Sequence, residues 1–153
     1  MYTQTEVSSH SFLEASALSD GELFELVHRV DHRIRRGFRE RLEPLGVNPG
    51  QSRALRALVS AGEPLRMARL AELLGIVPRS LTSVVDALES SGLVVRTVDP
   101  TNRRSTLVSV TPAGLSVHEK ARVARREAAA EVFSVLSDEQ RRQLSDLLGL
   151  LDG

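Results

Sequence analysis

The sequence predicts a mainly α-helical fold carrying one small two-stranded antiparallel hairpin. Three observations predict it. Apolar residues recur at spacings of three and four along most of the chain, and helix-capping patterns stand at Ser19–Glu22, Asn48-Pro49 and Ser137–Gln140. In mid-chain two short helical patterns are separated by Gly75 and Pro78, a stop and a start set close together. Residues 93–98 and 105–110 are β-branched runs joined by a turn-forming, basic stretch, Asp99-Pro100-Thr101-Asn102-Arg103-Arg104.

Taken in order, residues 1–18 are polar with scattered apolar positions and read as a loose arm or a short docking helix. Ser19 and Glu22 form a capping box, and the helix they open runs to about Leu42 before Pro44 and Gly46 end it. Leu23, Val27, Val30, Ile34 and Phe38 make its apolar stripe. Its polar side carries Arg29, Arg33, Arg35, Arg36, Arg39 and Arg41, broken by Asp31 and Glu40. Such a run is a solvated face on one reading and a contact for phosphate or an anionic ligand on another. Asn48 and Pro49 open the next helix, which buries Leu55, Leu58 and Val59 and stops at Gly62. A short link over 63–66 leads to the helix around Leu70-Ala71-Glu72-Leu73-Leu74, closed by Gly75. Pro78 begins the following helix, where Leu81, Val84, Val85 and Leu88 form the buried stripe and Gly92 closes.

Helix, turn, helix and basic hairpin together make a winged helix-turn-helix. After it, Thr111-Pro112 starts a long helix to about Val135, with few large apolar residues (Leu115, Val123, Val132, Phe133). Its small residues Ala121, Ala124, Ala128 and Ala129 suit close helix contacts. Ser137 opens a last helix with Leu144, Leu147, Leu148 and Leu151 in register. That helix has little chain left to pack on, so the leucines are expected to bury against a second copy. The chain thus divides into an arm (1–18), a dimerisation helix (19–46), a winged helix-turn-helix core (47–111) and C-terminal dimerisation helices (112–153).

The chemistry lies on the side facing away from the buried stripe. At 100° per residue, the outer face of the helix from Pro78 carries Arg79, Ser83 and Asp86, flanked by Ser80, Thr82 and Ala87. A helix fits the major groove of B-DNA, and its first residues reach the base edges. Arg79 suits bidentate pairing with guanine or, alternatively, a phosphate; Ser80, Thr82 and Ser83 reach backbone or bases without blocking close approach. Arg103 and Arg104, on a thin β-loop with Asn102, suit the narrow minor groove, where negative potential is strongest. In isolation each set also reads as an ordinary solvated surface.

The stretch resembles the DNA-binding core of the multiple-antibiotic-resistance regulator (MarR) family. The family's wing signature is Asp, any residue, Arg, five residues, then Leu-Thr. Here Arg104 and Thr111 match it, Asn102 replaces the Asp, and Val110 stands for Leu. Leu70–Gly75, residues 84–89 (VVDALE) and Gly92-Leu93-Val94 also match the family pattern, and the resemblance extends over about 20–150. It implies a two-fold dimer made by the first and last helices, with two heads reading a pseudo-palindromic duplex. It implies loose pairing of the 63–66 link with the wing strands and, for the family's Asp, a salt bridge bracing the wing arginine. It also implies a small aromatic or anionic effector between the dimer helices and the reading head. The arginines of the first helix and Arg53 are available for a carboxylate, and none is singled out. The family more often places its base-reading residues about one turn beyond Arg79, where this chain has Thr82 and Ser83.

Composition narrows the function classes. With 41% hydrophobic and 26% charged residues the chain reads as globular. Aromatic residues are 3% and Trp is absent, which argues against stacking on single-stranded bases. The formal net charge is zero, so local distribution must carry any case for nucleic acid: between 66 and 104, arginines 66, 69, 79, 96, 103 and 104 outnumber acids 72, 86, 89 and 99. No cysteine is present, which excludes disulfides, thiol nucleophiles and thiolate metal sites. No leader and no apolar run near the ~20 residues of a membrane span is found, so a cytoplasmic location is expected. His28 and His32 share i, i+4 spacing without an HExxH pattern, and read as exposed or interface histidines rather than metal ligands. No catalytic constellation stands out, and no cofactor is expected. The expected function is a ligand-responsive DNA-binding regulator, most often a repressor. A winged-helix module that binds a protein partner is the alternative.

Overall fold

The computed structural model describes residues 18–153; the expected arm therefore lies, but for Leu18, outside the described residues, as does His10. The elements run α1 (Asp20–Leu42), a 3-10 turn (Glu43–Leu45), α2 (Pro49–Ala61), β1 (Leu65–Arg66), α3 (Met67–Leu74), α4 (Pro78–Ser90), β2 (Val94–Asp99), β3 (Asn102–Val110), α5 (Pro112–Phe133) and α6 (Asp138–Asp152).

The helix starts follow from local hydrogen bonding. Ser19, Asn48 and Ser137 each accept the N–H of the residue three places on, whose own side chain accepts the cap N–H in return. Those bonds hold the Glu22 carboxyl below its ordinary value. Thr111 caps α5 by accepting the Gly114 N–H. α3 and α4 differ. Their cap residues, Arg66 and Val77, provide no side-chain acceptor. Between these two helices Gly75 turns the chain with φ of 64°, a conformation that costs glycine least.

The core sits under the reading head. Leu42, Leu55, Leu70, Leu81, Val85, Leu88, Val94 and Val108 are almost completely enclosed, so each contributes about 1.5–3 kcal/mol of burial. The expected stripe on α4 is present, with Leu81, Val85 and Leu88 buried and Val84 half-buried. Likewise Leu55 and Leu58 are buried on α2, with Val59 half-buried.

The sheet has three strands, in the order β1-β3-β2 and all antiparallel, rather than the two of the hairpin alone: Leu65 and Arg66 pair with Val108 and Leu107, the pairing that the resemblance implies for the 63–66 link. The hairpin departs from its expected form in its turn, which is tighter than the six residues expected. Asp99 accepts from the Thr101 N–H at 2.8 Å and its hydroxyl at 2.7 Å, and Pro100 pre-sets the bend, so β3 restarts at Asn102 opposite Asp99. Register then shifts between Val98 and Asp99, leaving Arg103, Arg104 and Ser105 without partners on β2. The wing arginines therefore stand on a bulge at the start of a strand rather than in a loop.

α1 and α5 cross closely. A Cβ added to Gly37 would lie 3.5 Å from that of Ala128, and Ala121, Ala124 and Ala128 are buried, as the small-residue pattern on α5 suggests. Only the lower half of the α1 stripe is covered among the described residues: Ile34 and Phe38 are half-buried, whereas Leu23, Val27 and Val30 are exposed, as is Phe24 beside them. α6 buries none of its residues.

Candidate nucleic-acid interface

Arg79 is the second residue of α4, exposed, with Ser80, Thr82 and Ser83 exposed beside it. Val77 offers no side-chain acceptor and Pro78 no N–H, and the Ser80 and Leu81 N–H groups close on the Val77 carbonyl at 3.0 and 3.2 Å, so of the first amides of α4 the Arg79 N–H is left without a partner among the described residues. The Thr82 hydroxyl donates to the Pro78 carbonyl at 3.1 Å, which leaves its oxygen as an acceptor only. Ser83 makes no hydrogen bond through its side chain among the described residues.

On the wing, Asn102 Oδ1 accepts the backbone N–H of Arg104 at 3.1 Å. Asn102 thus shapes the bulge through the main chain, rather than bracing an arginine side chain as the family's Asp is thought to. Beneath the bulge lies a polar knot. Asp99, with a side chain only 5% exposed, accepts Arg66 Nε at 2.7 Å, while Arg66 Nη2 donates to the Thr101 hydroxyl at 3.2 Å. The Thr101 hydroxyl and N–H, more than Arg66, push the Asp99 carboxyl down to about 2. The wing turn is thereby tied to the residue that caps α3.

Arg96 on β2 ties the wing to α4. Its Nη2 donates to Asp86 Oδ1 at 2.6 Å, and its backbone N–H donates to Glu89 Oε2 at 3.0 Å. Together with Arg69–Glu72, these pairs give every acid between 66 and 104 an arginine partner. Arg79, Arg103 and Arg104 are left over. None of their side chains forms an ion pair or hydrogen bond among the described residues, so the region's cationic surplus falls on the outer face of α4 and the wing tip.

The joint to α5 depends on close approach. Thr111 donates its hydroxyl to the Gly92 carbonyl at 2.7 Å and its N–H to the Leu93 carbonyl at 3.1 Å. A Cβ on Gly114 would sit 2.0 Å from that same Leu93 oxygen.

Other arginines resolve into structural roles. Arg35 and Arg36 pair along α1 with Asp31 and Glu40. Arg41 bridges to Glu131 and Glu127 of α5, holding the Glu131 carboxyl below its ordinary value. Arg53 donates to the Leu74 carbonyl at 3.0 Å and so closes α3. Arg125 stands apart. Its guanidinium carbon lies 4.8 Å over the Phe38 ring, no carboxylate among the described residues pairs with it, and burial, with Arg56 nearby, lowers its pKa. His28 and His32 are exposed, and His28 stacks on Phe24 at 6.1 Å between ring centroids.

The Leu144 side of α6 forms no part of this surface. Leu144 is half-buried, while Leu147, Leu148 and Leu151 are 60%, 46% and 81% exposed. Four features, Arg66–Asp99, Arg96–Asp86, Gly114 and Arg125, are not singled out by the sequence alone. The Asp-Pro-Thr triplet is a local signal for the Asp99 turn, and a glycine in the first turn of an alanine-rich helix is one for the joint at Gly114. The partners of Arg66, Arg96 and Arg125 are distant in sequence.

Comparison with known proteins agrees with this geometry. Residues 45–105 match the family model described as MarR family. The chain is 30% identical over 129 residues to the HTH-type transcriptional repressor Rv2887 of Mycobacterium tuberculosis, spanning 84% of this chain and 92% of that one. It is 27% identical over 128 residues to the HTH-type transcriptional regulator MhqR of Bacillus subtilis, covering 83% and 87% of the two chains. Among solved structures, the YusO protein of Bacillus subtilis matches with a TM-score of 0.76 at 26% identity, covering 88% of this chain and 98% of that one. A mutant of MarR from E. coli complexed with operator DNA matches at 0.67 and 26% identity, covering 84% and 92%. Shared sequence over most of both chains, the three-stranded wing and the helix-turn-helix all lead to one assignment: this chain belongs to the MarR family of winged-helix transcriptional regulators.

Proposed function

We propose that the protein is a dimeric repressor that grips a pseudo-palindromic duplex operator through α4 and the wing. The observation that carries this reading is the distribution of unpaired charge. Every acid between 66 and 104 is paired with an arginine, and the three remaining arginines of that stretch lie on the outer face of α4 and the bulged wing tip. Arg79, Ser80, Thr82 and Ser83 address the major groove, and Asn102, Arg103 and Arg104 the minor groove and backbone. Two heads roughly 34–36 Å apart would meet successive major grooves. A protein-binding module would instead favour an apolar outer face on α4.

Repression is released, on this reading, by a small aromatic or anionic effector. Arg125 is the best-placed anchor: stacked on Phe38 at the junction of the reading head and α1, with a cationic neighbour and no acid partner among the described residues. The test is a gel shift with duplex from upstream of the protein's own gene at two salt concentrations. A sequence-selective shift that weakens steeply with salt is expected. Equal retention of unrelated duplexes would reject specific operator binding.

A further inference from the structure

A DNA-reading surface is a poor place for a free carboxylate, yet Asp86 stands on it. By the 100° step of the helix it shares the side of α4 that carries Arg79 and Ser83, and its side chain is 58% exposed. Left alone there, it would repel the phosphates that the neighbouring arginine attracts. The opposing charge comes from the wing. Arg96 Nη2 reaches Asp86 Oδ1 at 2.6 Å, and Nη1 lies 3.6 Å from Glu89 Oε1. The Arg96 side chain is only 24% exposed, so its guanidinium is committed to α4 rather than presented outward as those of Arg79, Arg103 and Arg104 are.

We propose that Arg96 is a charge mask. It strengthens DNA binding by cancelling Asp86 within the recognition surface, acting through that residue and touching no phosphate itself. This rests on the reading of α4 and the wing as a DNA surface. Glu89 does not depend on the Arg96 side chain in the same way, because it also accepts the Arg96 backbone N–H at 3.0 Å. Removing the guanidinium therefore leaves one bond between β2 and α4 and exposes chiefly Asp86.

The experiment compares wild type, Arg96→Ala, Asp86→Asn and the double variant Asp86→Ala/Arg96→Ala on one operator duplex over a salt series. Thermal melts check that each variant is folded. Arg96→Ala should weaken binding by about tenfold, the scale of one uncompensated charge at an interface, with the salt slope unchanged. The double variant should return to within about threefold of wild type, since the carboxylate to be masked is gone. Asp86→Asn, which keeps Arg96 and the shape of the pair, should bind as well as wild type or better. If the double variant stays as weak as Arg96→Ala and the salt slope falls by about one counter-ion, Arg96 holds a phosphate and the mask is wrong. A weakened Asp86→Asn would likewise overturn it, by showing that the pair serves to orient α4. A wild-type protein that binds no duplex would instead sink the reading on which the mask rests.

Discussion

Arg79 is the one long hydrogen-bond donor on the outer face of the first two turns of α4, since Ser80, Thr82 and Ser83 are too short for bidentate pairing. If it pairs with guanine, Arg79→Ala should cost about 1–3 kcal/mol per head on the preferred operator and far less on a site with that base pair exchanged. Equal losses on both sites would assign it to phosphate. Arg79→Lys discriminates further, because it keeps charge without the planar fork and rescues a phosphate contact better than a base contact. Gly114 gives a residue-scale prediction about stability. A methyl group there meets the Leu93 carbonyl oxygen at 2.0 Å, and the contact is backbone, so relief requires α5 to move off the wing. Gly114→Ala should therefore destabilise by about 1–3 kcal/mol or more in urea unfolding, although alanine is the better helix former. A variant as stable as wild type would show that the joint between wing and α5 yields easily.

At the scale of an element, the wing is a strand pair whose tip is shaped by polar bonds instead of apolar packing. Arg103 and Arg104 stand where β3 has no partner on β2. Replacing both by Ala should weaken binding to all sequences and lower the salt slope by about one to two counter-ions. An unchanged slope in a folded dimer would remove them from the DNA surface. The knot beneath the tip should make wing order depend on acid. The folded Asp99 carboxyl titrates at about 2 against an ordinary 3.8, so its bonds to Thr101 and Arg66 favour the folded wing fully above the ordinary value. That contribution is lost as pH falls through the window between them. The Thr101 amide resonance should hold its native position down to about pH 3 and move through a midpoint of about 2, and Asp99→Asn should abolish the transition. A transition that persists in Asp99→Asn would trace it to another group.

At the scale of the whole molecule, apolar surface is left over on the first and last of the described helices. Leu23, Phe24, Val27 and Val30 of α1 and Leu147, Leu148, Leu150 and Leu151 of α6 are all exposed. A soluble single chain rarely carries that much uncovered apolar side chain, and two copies joined through these helices would cover it. Light scattering should give about twice the 16.8 kDa chain mass at micromolar concentration. Leu148→Glu with Leu151→Glu should shift the protein toward monomer and, with one head lost, weaken operator binding steeply. A dimer unaffected by both changes would place the interface elsewhere.

What the sequence determined by itself is what short-range chemistry controls. Caps at Ser19, Asn48, Thr111 and Ser137, stops at Gly62 and Gly75, and the Leu81/Val85/Leu88 stripe are set within a few residues of themselves, so the helices and the exposed outer face of α4 were legible from spacing alone. The hairpin was legible as a hairpin. Its tightness followed from the Asp99 side chain folding back on Thr101, and its third strand from β1 meeting Val108 some forty residues later. Only tertiary structure could decide which arginines are spent and which are free. Arg66, Arg69 and Arg96 look no different from Arg79, Arg103 and Arg104 along the chain, and ion pairing separates them. For Arg66 and Arg96 the partners, Asp99 and Asp86, lie across the fold at sequence distances no local pattern reports. A charge is matched in space, whereas a helix is written along the chain.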